Sequence, residues 1–119
     1  MAKDDYPVIV YQILAYLYSC LKKGEPVEPD KISANSDYFK VNQQTINQRY
    51  WEYIMYQLSK TGMIEGVTLM EVDNRQYPVP VRWDDCMITP KGIEYLTDNS
   101  FLRKAEEFLK EIKAIVPFI

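Results

Sequence analysis

The sequence predicts an α+β, mainly α fold: a winged helix-turn-helix of three helices plus a β-hairpin wing, with C-terminal helices. Apolar residues recur at helical spacing up to Gly62, and the spacing then alternates as in strands. Helical spacing returns after Thr89 and Pro90, a pair typical of a helix start. We expect one domain, with a winged-helix core from 1 to 97 and a C-terminal helix from 98 to 119.

Two helices are predicted in the first part of the chain. Pro7 suits a first helical turn, because the N–H that proline lacks would be unpaired there, and Gly24 ends this helix. Its apolar stripe consists of Ile9, Ile13, Leu17 and Leu21. After a proline-rich linker, a short second helix is expected from Pro29 to Ala34, with Ile32 pointing inward.

A third helix is expected to begin at Asn42, a good N-cap, and to run to about Thr61, with Gly62 as its C-cap. The residues predicted to face the core are Trp51, Ile54, Met55 and Leu58. The helical wheel then places Thr45, Arg49, Glu52, Tyr53, Tyr56 and Lys60 outward, with Gln43, Gln44 and Asn47 in the first turns.

The stretch from Gly62 to Ile88 is expected to form an antiparallel hairpin with an irregular tip. Pro78 and Pro80 cannot donate ladder hydrogen bonds, so they indicate an edge strand or a loop. Thr89 then caps a helix in which Gly92 either permits close approach to the sheet or is merely tolerated. A break at 98–100 precedes the last helix, predicted to extend to Val116. Its apolar face consists of Phe101, Ala105, Phe108, Ile112 and Ile115, widened by Leu102, Leu109 and Val116.

The composition limits the possible chemistry. A net charge of −3 argues against broad coating of nucleic acid, although it permits a local basic patch. The absence of histidine excludes Ser-His-Asp and Cys-His catalysis and removes the commonest metal ligand. The paired acids Asp84 and Asp85 are interpreted as a solvated turn. We therefore expect no enzyme activity, no cofactor and no metal.

The expected environment is the cytoplasm. Cys20 and Cys86 form no CxxC motif and are interpreted as reduced, buried thiols. No signal peptide is evident, and the apolar run of the first helix is shorter than a membrane span requires.

Several segments resemble known families. "WEYIMYQLSKTGMIEGV" is similar to the join between recognition helix and wing in bacterial winged-helix proteins, and "ITPKGIEYL" resembles the segment after the wing in MarR and PadR repressors. "LSKTGMIEGV", "ITPKGIEYLTDNS" and "KAEEFLKEIKAIV" resemble the YjcQ-like family of small, often prophage-encoded winged-helix proteins. The chain departs from that family in a longer turn before the third helix and in a wing with two prolines. The resemblance implies architecture rather than activity.

Two functions fit these patterns. The first is a DNA-binding transcriptional regulator of phage or prophage origin that binds double-stranded DNA as a dimer. It would read bases with Gln43, Gln44, Asn47 and Arg49 and contact phosphates with Lys60, Arg75 and Arg82. Glu52 would oppose this binding.

The second function is a non-enzymatic protein-protein interaction module on the same scaffold. Its candidate surface residues are Tyr53 and Tyr56 on the third helix, and Phe101, Phe108, Ile112 and Ile115 towards the C-terminus. The last helix has two alternatives: it pairs in a homodimer, or it folds back on the first helix.

Overall fold

The computed structural model describes residues 1–118, and Ile119 lies outside the described residues. Within them, the helices are α1 (Tyr6–Lys23), α2 (Gln48–Lys60), α3 (Pro90–Asp98) and α4 (Ser100–Glu111). The strands are β1 (Ile64–Glu65), β2 (Thr68–Met70), β3 (Val79–Arg82) and β4 (Met87–Ile88). The predicted α+β, mainly helical class is confirmed.

The core is built around α1, which packs against α3, α4 and β4. Every residue from Val8 to Leu17 is buried, including Gln12, whose amide donates to the Tyr38 carbonyl at 2.8 Å. As predicted, α1 ends at Gly24, which adopts a left-handed conformation with φ 67°. Across residues 1–118, no helix combines the length and the apolar character that crossing a membrane requires.

The predicted second helix is replaced by a 3₁₀ turn at Pro29–Lys31, and a further 3₁₀ turn follows at Asp37–Phe39. Two tryptophan side chains explain this difference. The Trp51 indole N–H donates to the Ile32 carbonyl at 2.7 Å, and the Trp83 indole N–H donates to the Pro29 carbonyl at 3.0 Å. These carbonyls are therefore bound by side chains from outside the segment. Ile32 is fully buried, as predicted.

α2 begins later than predicted, and its N-cap is Asn47 rather than Asn42. The Asn47 side-chain oxygen accepts from the backbone N–H groups of Arg49 and Tyr50. Asn42 instead adopts a left-handed conformation with φ 51°, in a tight turn closed by backbone hydrogen bonds between Val41 and Gln44. Asparagine suits both roles, so the local sequence does not distinguish them.

The predicted hairpin is confirmed as two successive antiparallel strand pairs. β1 pairs with β4, with Ile64 opposite Ile88, and β2 pairs with β3, with Leu69 opposite Pro80. The register shifts between Thr68 and Leu69. The segment 71–78 at the end of the hairpin lies outside the strands and is called the wing tip below.

The α3 start joins this hairpin to the end of α2. The Thr89 hydroxyl donates to the Gly62 carbonyl at 2.5 Å and accepts from the Gly92 N–H at 3.0 Å, which caps the helix as predicted. Gly92 is buried, and a Cβ placed there would overlap the Met63 carbonyl oxygen and crowd Ile88. Of the two alternatives for Gly92, close approach to the sheet is the one that the structure supports.

The last helix is shorter than predicted, because Lys113 turns left-handed with φ 55° and the Ala114 N–H donates back to the Leu109 carbonyl at 3.0 Å. Ile115 therefore lies beyond the helix. α4 folds back on α1. The α4 residues that it buries are Leu102, Ala105 and Leu109. The predicted face is confirmed for Leu102, Ala105 and Leu109 and wrong for Phe101 and Ile112, which are exposed.

Replacement of Gly92 by alanine tests the junction between α3 and the sheet. Helix propensity alone predicts a gain of about 1 kcal/mol for Gly92→Ala. The overlap with a backbone carbonyl outweighs it, so we expect a net loss of about 1–3 kcal/mol in the free energy of unfolding by urea. Lys91→Ala, at an exposed neighbouring position, is the control and should change stability by less than about 0.5 kcal/mol. A Gly92→Ala protein as stable as the parent would contradict this packing.

Candidate functional site

The outer face of α2 points away from the core. Trp51, Ile54, Met55 and Leu58 are buried, as predicted. The opposite side carries Arg49, Tyr53, Tyr56 and Lys60, spaced so that successive side chains fall in one row. Arg49, Tyr53 and Lys60 are exposed, and Tyr56 is half-buried. The prediction that these four side chains face outward is confirmed.

Tyrosines from three elements meet on this side and form what we call the tyrosine face: Tyr6, Tyr53, Tyr56 and Tyr77. Tyr77, from the wing tip, stacks on Tyr56 with ring centroids 5.3 Å apart and planes 23° apart. It also meets Tyr53 edge-on at 5.8 Å, and Tyr53 contacts Tyr6 at 6.5 Å. Such ring pairs stabilise beyond the area that they bury. The tyrosine face is therefore preformed in the folded chain.

The wing tip is fastened to α2 by an ion pair. Arg75 Nη1 lies 2.5 Å from Glu52 Oε1, and the Gln48 amide donates to Glu52 Oε2 at 3.2 Å. The Tyr77 hydroxyl donates to the Arg49 carbonyl at 3.3 Å. Glu52 is only 7% exposed, so the prediction that it faces outward is wrong. A buried carboxylate requires a paired cation, and Arg75 supplies it.

The candidate base-reading residues do not lie together on α2. Gln43 and Gln44 are exposed in the turn before the helix, and the Asn47 side chain is used as the N-cap. The prediction that these three residues occupy the first helical turns is wrong. Of the four candidate base-reading residues, only Arg49 lies in the exposed outer row of α2.

Of the three residues predicted to contact phosphates, two already form ion pairs with carboxylates. Lys60 lies on the outer row, with its Nζ 5.7 Å from the Tyr56 ring centroid. Arg75 is engaged by Glu52. Arg82 binds Asp84 through Nε at 2.7 Å, and this hydrogen bond lowers the pKa of the Asp84 carboxyl. Arg75 and Arg82 therefore already have carboxylate partners.

Tyr6 and Tyr77 were not among the site residues predicted from the sequence. No local pattern identifies Tyr77, because residues 76 and 77 form a bend and the stacking of Tyr77 on Tyr56 depends on how the wing tip lies on α2. Tyr6 precedes Pro7 at the start of α1. Its position near Tyr53 depends on how α1 and α2 pack, which the local sequence does not encode.

A second region lies at the end of α1, where a cavity of about 370 Å³ is lined by Cys20, Cys86, Asp84 and Asp85 among others. Both thiols are free and buried, as predicted, and burial raises the pKa of Cys86 to about 12. Asp84 and Asp85 lie in an exposed turn, also as predicted. In residues 1–118 no group of three or more His, Cys, Asp or Glu side chains is arranged to hold a metal ion.

The candidate C-terminal interaction residues differ in exposure. Phe101 is 61% exposed, Ile112 47% and Ile115 88%. Phe108 is half-buried against the core. The α4 residues that pack on α1 are the neighbouring aliphatic ones, Leu102, Ala105 and Leu109.

A comparison with known protein families identifies the family of this chain. The family model described as YjcQ protein matches residues 11–115, which is most of the chain, and the chain therefore belongs to this family. The resemblance noted in the sequence is confirmed. No curated protein and no solved structure matches the chain.

A double-mutant cycle tests the attachment of the wing tip. Arg75→Met leaves the Glu52 carboxylate buried without its cation and should lower the free energy of unfolding by about 1–3 kcal/mol. Combined with Glu52→Gln, the loss should be smaller than the sum of the two single losses, because the interaction is already removed.

The control for this cycle is Arg82→Met, which removes an exposed ion pair of the same wing and should change stability little. Unfolding in urea gives the change in the free energy of unfolding for the two single variants, the double variant and the control. Strictly additive effects of Glu52→Gln and Arg75→Met would show that the pair does not fasten the wing tip.

Proposed function

We propose that this YjcQ-family chain is a non-enzymatic protein-interaction module on a winged-helix scaffold, and that it binds a partner segment through the tyrosine face. The proposal rests on the stacking of Tyr77 on Tyr56, which is accompanied by the ion pair between Arg75 and Glu52. The wing tip and α2 together form one continuous aromatic surface.

Tyrosine is suited to this role because its ring provides apolar contact area while its hydroxyl keeps a hydrogen bond. Here the rings of Tyr53, Tyr56 and Tyr77 already hold one another in place. A partner would therefore lose little side-chain entropy on binding, and preorganised surfaces of this kind concentrate binding energy in a few residues. Tyr53, 42% exposed and at the centre of the row, is the expected hot spot.

The exposed cations of the outer row indicate which charges the partner should carry. Arg49 and Lys60 are exposed at the two ends of the outer row, and neither has a carboxylate partner among residues 1–118. They are separated by about three helical turns, or roughly 16 Å. The partner segment would place apolar or proline side chains on the tyrosines and a carboxylate near each cation.

Binding of double-stranded DNA by a winged-helix regulator of phage or prophage type is the second candidate. It is favoured by the exposed amides of Gln43 and Gln44 and by the exposed cations Arg49 and Lys60. The wing tip weighs against it. For α2 to enter a major groove, Tyr77 would have to leave Tyr56 and the Arg75–Glu52 pair would have to open.

Peptide display tests the proposed function. Selection of random peptides against the whole chain should enrich segments that combine Asp or Glu with apolar or proline residues. Tyr53→Ala should weaken the binding of a selected peptide at least about tenfold by calorimetry, because truncated hot spots cost more than about 1.4 kcal/mol.

The matched control is Tyr53→Phe, which keeps the ring and should retain most of the affinity. Arg49→Ala should lower affinity only for peptides that contain carboxylates. Failure to enrich any sequence class, or selected peptides that bind Tyr53→Ala as well as the parent, would refute the proposal.

Fluorescence anisotropy on random duplex DNA tests the second candidate. If the tyrosine face takes a protein partner, binding at low salt should be weak and indifferent to Arg49→Ala. Phosphate contacts would instead give a slope of about −0.9 per contact in log affinity against log salt. Salt-sensitive binding that Arg49→Ala weakens and Arg75→Met strengthens would favour DNA over the protein partner.

A further inference from the structure

The α4 helix carries an apolar stripe that the described chain covers only in part: Phe108 is half-buried against the core, and Lys104 Nζ lies 5.9 Å from the Phe101 ring centroid. Phe101, Phe108 and Ile112 fall on one side of the helix, next to the buried row of Leu102 and Leu109. Phe101 is 61% and Ile112 47% exposed. This stripe lies on a different element from the tyrosine face.

The residues after α4 turn away from this stripe. The Phe118 ring lies 6.3 Å from the Tyr11 ring and 5.4 Å from Lys110 Nζ. Tyr11 in turn donates from its hydroxyl to Glu106 at 2.8 Å. On a helix with 3.6 residues per turn, Glu106 and Lys110 occupy the side opposite the stripe. The end of the chain therefore does not cover Phe101 or Ile112, and Phe108 stays half-buried.

Two charges border the stripe on its solvent side and have opposite signs. Lys104 lies in the N-terminal half of α4 and Glu111 at its C-terminal end, and both are exposed. They are about two turns, or roughly 10 Å, apart along the helix, too far to pair with each other. Neither has an ion-pair partner among residues 1–118.

We propose that two copies of this chain pair through their α4 helices in antiparallel orientation, related by a two-fold axis near Phe108. In this arrangement Lys104 of each copy faces Glu111 of the other, because the axis lies midway between these positions. Phe108 meets the same residue of the second copy, and Phe101 faces the C-terminal end of the other α4 helix. A parallel pair would bring no Lys104 opposite a Glu111, because each residue would lie at the same height as its own copy.

Self-complementarity is the reason for choosing a second copy as the occupant. An isologous interface requires that the residue contacted by a position also contacts that position in return. The order of cation, aromatic residue and carboxylate along Lys104, Phe108 and Glu111 satisfies this requirement in the antiparallel pair. α4 has 12 residues, so it is roughly 18 Å long, and one such helix offers less than the roughly 800 Å² per partner of a standard interface. The pair should therefore dissociate on dilution.

Sedimentation velocity over a micromolar concentration series, with charge reversal, tests the orientation. The parent should form dimers that dissociate on dilution. Lys104→Glu alone, or Glu111→Lys alone, should weaken the dimer at least about tenfold, because each places like charges opposite each other. The variant with both substitutions should regain the affinity of the parent.

Mixing the two single variants gives the sharpest comparison. In a mixed dimer the two carboxylates of the Lys104→Glu copy face the two lysines of the Glu111→Lys copy. The mixture should therefore dimerise more tightly than either variant alone. Arg103→Glu, the same charge change on the far side of α4, is the matched control and should leave the dimer unchanged. Circular dichroism should show the same helix content in every variant.

Crosslinking locates the axis independently. Phe108→Cys should give a disulfide-linked dimer on mild oxidation, whereas Ser100→Cys, at the distant end of the helix in each copy, should not. A parent that stays monomeric at all concentrations would overturn the proposal. It would equally be overturned if the mixture failed to dimerise, or if Ser100→Cys crosslinked more readily than Phe108→Cys.

Discussion

The ion pair between Arg75 and Glu52 determines the surface that α2 offers to other molecules. Glu52 is buried, and a carboxylate out of water is costly unless a cation and hydrogen bonds compensate it. Arg75 and Gln48 provide that compensation. Because Arg75 belongs to the wing tip, the same contact that satisfies the charge brings Tyr77 onto Tyr56. The tyrosine face is thus a consequence of an electrostatic requirement inside the protein.

The sequence predicted those features that local chemistry determines. The burial of Trp51 and Leu58 follows from helical spacing, and the hairpin follows from the change of spacing after Gly62. The Thr89, Pro90 and Gly92 junction could also be predicted, because the capping hydroxyl and the missing side chain have a direct structural role. In each case the controlling contacts are close in sequence, or the residue type alone limits the conformation.

The features that were missed depend on contacts between distant parts of the chain. The helical wheel placed Glu52 on the outer face of α2, because a wheel takes no account of Arg75, which comes from the wing tip and pairs with Glu52. The short second helix gave way to a 3₁₀ turn because Trp51 and Trp83 bind its carbonyls. On α4 the sequence contains two adjacent apolar rows, and the packing of α1 decides which of them is buried. Membership of the YjcQ family supports the architecture and leaves the activity to experiment.

The central claim is that the wing tip remains closed on α2 in solution. Nuclear Overhauser contacts between the rings of Tyr56 and Tyr77, measured at physiological salt together with amide hydrogen exchange of residues 71–78, test it most directly. The account predicts strong contacts between these two rings, and protection of the Arg75 amide, which donates to the Val72 carbonyl at 3.2 Å. Absent ring contacts and unprotected exchange throughout the wing tip would contradict it, since α2 would then present its outer row without Tyr77.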